Sequence, residues 1–337
     1  MADLTTTYMG LRLRNPVVAS AGPLSQTVDG VRELAAGGVG AVVLYSLLEE
    51  QLRREEARLE ELVDLHDDTF AEALSMFPSV VRVAEDPSHQ YLTLVENAAK
   101  AIDVPLIASM NGSTLGGWTK IARQLADAGA AGIELNIYFV PGDVVTRGTQ
   151  VELRHLEILE AVRSVVEVPV AVKLAPYFSS FGNMAVQLDN AGADALVLFN
   201  RFLQPDIDID RLRVEAGVTL SNPNEARLPR TWIAALRGKV AASLAATTGV
   251  DQADDVIKYV LAGADVVMTT SALVRRGPSY AQTLVDGLDR WLDAQGLTLA
   301  QARGLLAVPA EAEGDAYARA GYVTALEKAR SSYGSLR

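Results

Sequence analysis

Four residues with amine or amide side chains stand at the ends of short apolar runs. Lys173 ends the run that begins at Val168, and Asn111, Asn136 and Asn200 each follow a comparable run. A lysine at the end of a buried strand needs an anionic or electron-rich partner. The alternative is an amine that reaches the rim and stays in water. Three amides and one amine around one opening would bind a neutral polar ring, and asparagines that only form turns are the other interpretation.

A second set of residues has the pattern of a phosphate site. Thr248-Gly249-Val250 precedes Asp251, which we predict as a helix N-cap, and Thr270-Ser271 follows the next apolar run. Backbone N–H groups at such loops bind phosphate without a basic side chain. The sequence therefore predicts a phosphate site, with a simply capped loop as the alternative.

The residue types at these positions do not favour a metal. The 3 histidines are His66, His89 and His155, and none of them lies at the end of one of the apolar runs. The chain has 0 cysteines, which excludes disulfides, Cys-ligated zinc, iron–sulfur clusters and a thiol base. We predict no metal.

The charge of the chain limits its partners. The net charge is −12 and the sequence pI is about 4.8, and an acidic surface disfavours nucleic acid and anionic membranes. No apolar run reaches the roughly 18 residues that span a bilayer, and the first residues lack a signal-peptide pattern. We expect a cytoplasmic protein that acts on a small molecule, with neither nucleic acid nor membrane as a partner.

One phrase recurs along the chain and predicts the elements that position these residues. A helix end, a glycine and a short apolar strand follow one another in four segments: Leu34–Leu44, Leu125–Leu135, Leu188–Leu198 and Val260–Met268. Glycine supplies the left-handed cap of a helix, and a continuous apolar run suits a strand buried on both faces of a parallel sheet. Repetition of this joint predicts a (β/α)8 TIM barrel, whose chemistry lies at the carboxyl ends of its strands.

Eight strands complete this prediction. They are Val17–Ala21, Ala41–Tyr45, Pro105–Ser109, Gly132–Asn136, Val170–Leu174, Ala195–Phe199, Val240–Ala245 and Asp265–Thr269. Two connections exceed a minimal barrel, so we predict a single domain with insertions after strands two and six, at about 46–102 and 200–238. The barrel would occupy residues 1–300, and residues 301–337 would form a helical tail.

Several phrases of the chain are similar to the class 1 dihydroorotate dehydrogenase family. They are Asn15-Pro-Val-Val-Ala-Ser-Ala-Gly22, Gly132-Ile-Glu-Leu-Asn136, Pro169-Val-Ala-Val-Lys-Leu-Ala-Pro-Tyr-Phe178 and Ala262–Pro278, within a resemblance from about Thr6 to Leu299. The phrases at 70–78, 198–208 and 227–233 resemble a subgroup called dihydroorotate dehydrogenase-like proteins. The resemblance implies an FMN-dependent barrel that forms a homodimer.

The resemblance also implies roles for individual residues. Ala21 and Gly22 would pass under the flavin, and Lys173 would reach its pyrimidine edge. Flavin or substrate would face Asn111, Asn136 and Asn200. The FMN phosphate would be held by Thr248, Gly249, Thr270 and Ser271.

Two positions depart from the family at the reacting centre. Tyr45 stands where the family has a lysine that contacts flavin and substrate, and Phe139 stands where it has a catalytic Cys or Ser base. A phenyl ring cannot take a proton. Tyr138 would serve instead as a general acid, since tyrosine is a better acid than base near neutral pH. Tyr45 would share this role or form an aromatic shelf for a ring.

Two further positions leave alternatives open. Ala246-Thr-Thr-Gly249 replaces a more glycine-rich run, so its side chains would crowd a phosphate or add hydrogen bonds to it. Arg201 would bind a substrate carboxylate in a bidentate way, or would form a surface salt bridge.

These observations favour an FMN-dependent oxidoreductase resembling dihydroorotate dehydrogenase, with hydride transfer between flavin and a small ring-shaped or carboxylated substrate. The alternative is a catalytically altered barrel that acts as a ligand-binding or regulatory subunit, because Tyr45 and Phe139 replace family residues. A third hypothesis is an aldolase-like barrel in which Lys173 forms a Schiff base.

Overall fold

Eight parallel strands close into a barrel, which confirms the predicted (β/α)8 architecture. The computed structural model describes residues 2–54, 87–114, 118–139, 142–201, 205–215, 217, 219–309, 311–312 and 314–334. Around the barrel the strand order is β11-β12-β3-β4-β5-β6-β7-β8. The strands are β1 (Thr6–Tyr8), β2 (Leu11–Leu13), β3 (Val17–Ala19), β4 (Ala41–Leu48), β5 (Leu106–Gly112), β6 (Gly132–Ile137), β7 (Val170–Leu174), β8 (Ala195–Leu198), β9 (Asp206–Asp208), β10 (Arg213–Glu215), β11 (Ser243–Ala246) and β12 (Val266–Thr269).

Helices alternate with the barrel strands and cover their outer faces. They are α1 (Val28–Ala36), α2 (Pro87–Ala101), α3 (Trp118–Asp127), α4 (Gly148–Arg163), α5 (Phe181–Asn190), α6 (Arg227–Leu236), α7 (Ala253–Ala262), α8 (Ser271–Arg276), α9 (Tyr280–Gln295), α10 (Leu299–Ala302) and α11 (Gly314–Tyr333). Short 3₁₀ turns lie at Pro23–Ser25 and Pro223–Ala226. Helix and strand side chains form one apolar layer outside the barrel, and a second, smaller cluster fills its interior.

The recurring helix–glycine–strand phrase has the predicted geometry in all four copies. Gly38, Gly129, Gly192 and Gly263 have φ angles of 104°, 102°, 93° and 120°. These angles favour glycine because other residues pay a steric cost there. Each of these glycines is followed by a barrel strand, so the chain reverses direction within a few residues.

Several strand boundaries differ from the predicted ones. β4 runs three residues past Tyr45, with an irregularity in its pairing between Val43 and Ser46, and Leu48 then aligns with Asn111. Asn111 therefore lies inside β5 rather than after it. The predicted seventh strand starts too early, because the N–H groups of Ala241 and Ala242 donate to the Asp189 carboxylate instead of to a strand.

Long connections follow β4 and β8. After β4 the chain is helical at residues 49–54, and residues 55–86, which include His66, lie outside the described residues. After β8 the connection contains the β9–β10 hairpin, one 3₁₀ turn and α6. We call residues 199–242 the β8–β11 excursion.

The β1–β2 hairpin, which the sequence did not reveal, closes the bottom of the barrel. Tyr8 and Met9 belong to the same interior cluster as the small strand residues Ala41, Ala171 and Ala195. Small side chains on the strands leave the space that these two larger residues fill. The Tyr8 side chain is fully buried, and its hydroxyl has no hydrogen-bond partner among the described residues.

We expect Tyr8→Phe to stabilise the fold by about 1 kcal/mol, because a buried hydroxyl without a partner costs about 1–3 kcal/mol. Burial, reinforced by the charges of Glu134 and Asp265, raises the pKa of Tyr8 well above its ordinary value. The unfolded chain therefore ionises first, and wild-type stability falls as pH rises above about 10. The advantage of the variant should grow over that range.

Urea denaturation at neutral and alkaline pH measures this effect. Tyr259→Phe is the matched control, since the buried Tyr259 hydroxyl donates to the carbonyl oxygen of Thr248 at 2.7 Å. That variant should lose about 1 kcal/mol. Equal losses in both variants would contradict the assignment of Tyr8 as an unsatisfied group.

The residues beyond α10 also contact the bottom of the barrel. Arg303 donates to the Thr6 hydroxyl at 2.6 Å and lies 3.4 Å from the Asp265 carboxylate, and the Leu306 N–H donates to the carbonyl oxygen of Leu261. The domain division at residue 300 stays a prediction. Among the described helices, none combines the length and apolarity needed to cross a membrane.

Candidate active site

A row of polar side chains crosses three neighbouring strands at the carboxyl end of the barrel. Asn136 on β6 is aligned with Lys173 on β7, and Asn200 follows β8. The Asn200 amide donates to Asn136 Oδ1 at 2.7 Å, and the Asn200 N–H donates to the carbonyl oxygen of Leu174 at 2.7 Å. The structure thus brings together three of the four residues from which the sequence argument began.

Two cavities meet at this row. The central cavity has a volume of about 490 Å³, and the loop cavity beside it has a volume of about 140 Å³. Ala21, Lys173 and Asn200 line both. The central cavity is also lined by Gly22, Pro23, Gln26, Tyr45, Ser46, Leu48, Gln51 and Asn136. The loop cavity is also lined by Ser20, Phe199, Arg201, Ser221, Thr247, Thr248, Val250, Met268, Thr269, Thr270 and Ser271.

A larger cavity of about 720 Å³ lies away from this row, beside the ends of α1 and α2. Two of its charged side chains bind other groups of the chain itself. Arg14 donates to the carbonyl oxygens of Val39 and Ala35, and Lys100 pairs with Glu96 at 2.6 Å. Barrel enzymes carry their chemistry at the carboxyl ends of the strands, so we assign the candidate site to the two smaller cavities.

Lys173 has an acidic partner below the row. Its Nζ lies 3.4 Å from Glu134 Oε1, and both side chains are buried. The second carboxylate oxygen, Glu134 Oε2, has no hydrogen-bond partner among the described residues. Sequence reasoning missed this pairing, although Glu134 stands two residues before Asn136 and alternate residues of a strand share a face.

The aromatic candidates occupy different places. Tyr45 lines the central cavity, and its ring meets Tyr91 edge-on with centroids 5.0 Å apart. Burial raises the pKa of Tyr45, so its hydroxyl keeps the proton at neutral pH. Tyr138 is half-buried, its N–H donates to the carbonyl oxygen of Asn136, and it is not among the residues that line the two cavities. Phe139 stacks under the Arg154 guanidinium, 4.1 Å from the ring centroid.

Two predicted contact residues are placed differently from the expectation. Asn111 lies within β5 between Leu48 and Asn136, and lines neither cavity. Arg201 pairs with Glu225 at 2.8 Å and donates to the carbonyl oxygen of Thr219. The salt bridge that we named as the alternative is therefore the arrangement of Arg201 in this structure.

Backbone N–H groups surround the loop cavity. Those of Thr248, Val250 and Thr270 donate to no group in the described part of the chain. Val250 is only 2% exposed, and buried N–H groups without partners are rare. Next to them, a Cβ on Gly22 would lie 2.5 Å from a methyl carbon of Thr270, so no side chain fits there. The three N–H groups are therefore donors at one cavity that have no acceptor in the described part of the chain.

The helix start after this loop differs from the prediction. Asp251 is not the N-cap, since Gln252 holds that position and the N–H groups of both residues donate to the Asp255 carboxylate. The N–H of Gly249 donates to the Ser221 hydroxyl at 3.3 Å, and Gly249 lines neither cavity. Thr248 has a φ of 78°, which is strained for a β-branched residue.

A metal site does not appear among the residues that the structure describes. They contain no cluster of three or more His, Asp or Glu side chains that could hold an ion. His155 is buried on α4, where its ring Nδ1 donates to the carbonyl oxygen of Val151 and its ring meets Phe178 edge-on. His89 lies on α2.

Comparison with known proteins identifies the family of this chain. A family model described as dihydroorotate dehydrogenase matches residues 3–292. The chain belongs to the dihydroorotate dehydrogenase family. The matched residues include the segments on which the resemblance was based, and the match confirms that resemblance.

Individual family members are distant from this chain but cover most of it. The dihydroorotate dehydrogenase B (NAD(+)) catalytic subunit of Methanocella arvoryzae is 27% identical over 315 residues, which cover 90% of this chain and 97% of the relative. The protein of the same name from Thermoplasma acidophilum is 25% identical over 299 residues, or 87% of this chain and 95% of the relative. The protein of that name from Listeria monocytogenes is 30% identical over 205 residues, or 59% and 67%.

Proposed function

We propose that this protein is an FMN-dependent oxidoreductase that exchanges hydride with a small ring-shaped or carboxylated substrate. Membership of the dihydroorotate dehydrogenase family supports an oxidoreductase. The observation that carries the proposal is the row Asn136, Lys173 and Asn200, which joins a central cavity to a cavity ringed by unpaired N–H groups. Such a pair of cavities suits a polar ring that carries a phosphate.

The residues around the two cavities fit FMN. The N–H groups of Thr248, Val250 and Thr270 would hold its phosphate, with the Thr270 and Ser271 hydroxyls beside them. Gly22 leaves a flat surface for the ring, since a side chain there would strike Thr270. Lys173 lies where the two cavities meet and would bind an electron-rich edge of the flavin. When bound, FMN would supply hydride transfer.

The side chains of the central cavity provide binding and a proton. The amides of Asn136 and Asn200, fixed by their mutual hydrogen bond, present the remaining donors and acceptors to one ring edge. The Tyr45 hydroxyl is protonated near neutral pH, as an ordinary tyrosine is, so it can donate a proton to the substrate but cannot remove one. This arrangement favours a reductase.

Oxidation of dihydroorotate itself finds less support in these residues. The position of the family base is Phe139, whose ring lies against Arg154. No Asp, Glu, His or Cys is among the residues that line the central cavity in the described part of the chain. We therefore propose a substrate that accepts both hydride and a proton. The homodimer and the cytoplasmic location stay predictions.

Purified protein should show the visible absorbance of bound flavin, or gain it on mixing with FMN and removal of the free cofactor. Mass spectrometry of the released small molecule would identify FMN. Reduction of bound FMN and its reoxidation by candidate unsaturated rings would then test turnover against free FMN. A colourless protein that retains no flavin would contradict the proposal, and flavin binding without turnover of any acceptor would favour the binding or regulatory subunit.

A further inference from the structure

Ser221 links the β8–β11 excursion to the loops of the candidate phosphate site. The residue is 5% exposed, and both its N–H and its hydroxyl donate to Ser271 Oγ at 3.0 Å. The Gly249 N–H donates to the Ser221 hydroxyl at 3.3 Å. Arg275 donates to the Ser221 carbonyl oxygen at 2.6 Å. Four hydrogen bonds therefore fix one serine that the sequence argument did not single out.

These bonds determine what the Ser271 hydroxyl can do. A serine hydroxyl has one donor hydrogen and two acceptor lone pairs. Ser271 Oγ accepts from both donors of Ser221, so both of its lone pairs are used. Its own hydrogen must point elsewhere, and Ser271 lines the loop cavity. The Ser271 hydroxyl is thus free only to donate. The hydrogen bond from the Gly249 N–H to Ser221, and from Ser221 to Ser271, polarises the Ser271 hydroxyl and strengthens the bond that it donates.

The surroundings of the loop cavity select an anion. None of the described residues that line the loop cavity is Asp or Glu. Lys173 and Arg201 both line it. Lys173 is paired with Glu134 and Arg201 with Glu225, but neither carboxylate lines the cavity. The cavity wall therefore presents no acid in a chain whose net charge is −12. The unpaired N–H groups of Thr248, Val250 and Thr270 add only donors.

We propose that Ser221 is a positioning residue for a phosphate monoester in the loop cavity. It aims the Ser271 hydroxyl at the phosphate and does so through the β8–β11 excursion rather than through the barrel loops. The proposal rests on the proposed FMN function, with the phosphate of FMN as the anion. A serine that only fastens the excursion to the barrel would be equally buried, and the test separates these two roles.

The experiment compares FMN with riboflavin, which lacks the phosphate, by quenching of flavin fluorescence. Ser221→Ala should raise the dissociation constant of FMN about tenfold, as expected for loss of one hydrogen bond to a charged group, and leave that of riboflavin unchanged. Ser271→Ala should have a similar effect. The double variant should be no weaker than Ser271→Ala alone, because Ser221 acts through Ser271.

Ser243→Ala is the matched control, since the Ser243 hydroxyl accepts from the Met9 N–H at the opposite end of the barrel. It should change neither dissociation constant. Equal weakening of FMN and riboflavin by Ser221→Ala, or no weakening of either, would overturn the proposal.

Thermal melting with inorganic phosphate separates this proposal from the FMN function. If wild type binds neither flavin but phosphate raises its melting temperature and Ser221→Ala abolishes that shift, the phosphate site stands and the FMN function fails. If phosphate and both flavins leave the wild type unchanged, the role of Ser221 is overturned as well.

Discussion

Lys173→Met should weaken FMN binding at least tenfold and lower the free energy of unfolding by about 3–5 kcal/mol. The first effect follows from the loss of hydrogen bonds from a charged amine, which contribute about 1.5–3 kcal/mol each. The second arises because Glu134, fully buried, would lose the cation 3.4 Å away and keep an unpaired carboxylate in the barrel interior. Fluorescence titration and urea denaturation measure the two effects separately.

The double variant Lys173→Met/Glu134→Gln distinguishes binding from stability. Removing both charges leaves no unpaired ion, so most of the lost stability should return. FMN binding should remain weak, because the amine is still absent. A double variant as unstable as Lys173→Met would show that the Lys173–Glu134 pair is not the source of the loss, and unchanged FMN affinity in both variants would contradict the role of Lys173.

The polar row could be predicted because strand position alone determines where its members lie. Asn136, Lys173 and Asn200 each end an apolar run, and the carboxyl ends of parallel strands meet at one end of a barrel. The recurring glycines located the strand starts in the same way. Asn111 is aligned with Asn136 but lines neither cavity, so its contact with flavin or substrate stays a prediction.

Other features depend on contacts between segments that are remote in sequence. Ser221 meets Ser271 across 50 residues, and Tyr8 enters the barrel from a hairpin before the first barrel strand. Neither has a local pattern that distinguishes it from an ordinary loop or strand residue. Asp251 was wrong as an N-cap because Asp255, four residues later, accepts the N–H bonds at that helix start.

The loop at 246–249, which we propose as part of a phosphate site, shows how these remote contacts change the interpretation of a motif. The sequence indicated that Ala246-Thr-Thr-Gly249 is poorer in glycine than the family run, which left crowding or extra hydrogen bonds open. Thr248 adopts a left-handed φ, and its hydroxyl donates to the carbonyl oxygen of Phe199 at 3.0 Å. Its side chain is thus held against the β8–β11 excursion, while its N–H remains unpaired at the loop cavity. The excursion therefore fixes the orientation of the Thr248 side chain in this loop.

Gly249→Ala should lower the free energy of unfolding by about 2–5 kcal/mol. At a φ of 73° an added Cβ costs about 1–2 kcal/mol. The same Cβ would lie 2.7 Å from the Ala226 nitrogen and 2.9 Å from the Asn222 carbonyl oxygen, both backbone atoms of the excursion. Overpacking of this kind adds about 1–3 kcal/mol. Urea denaturation measures the total.

Gly238→Ala separates the two contributions, because Gly238 has a φ of 78° and no atom within 4 Å of an added Cβ. It should lose only the 1–2 kcal/mol due to the left-handed backbone. The difference between the variants then measures how tightly residues 222–226 pack against the loop at 246–249. Equal losses would mean that the excursion moves away at no cost. In that case it could not hold Ser221 in place, so this stability measurement also bears on the phosphate site.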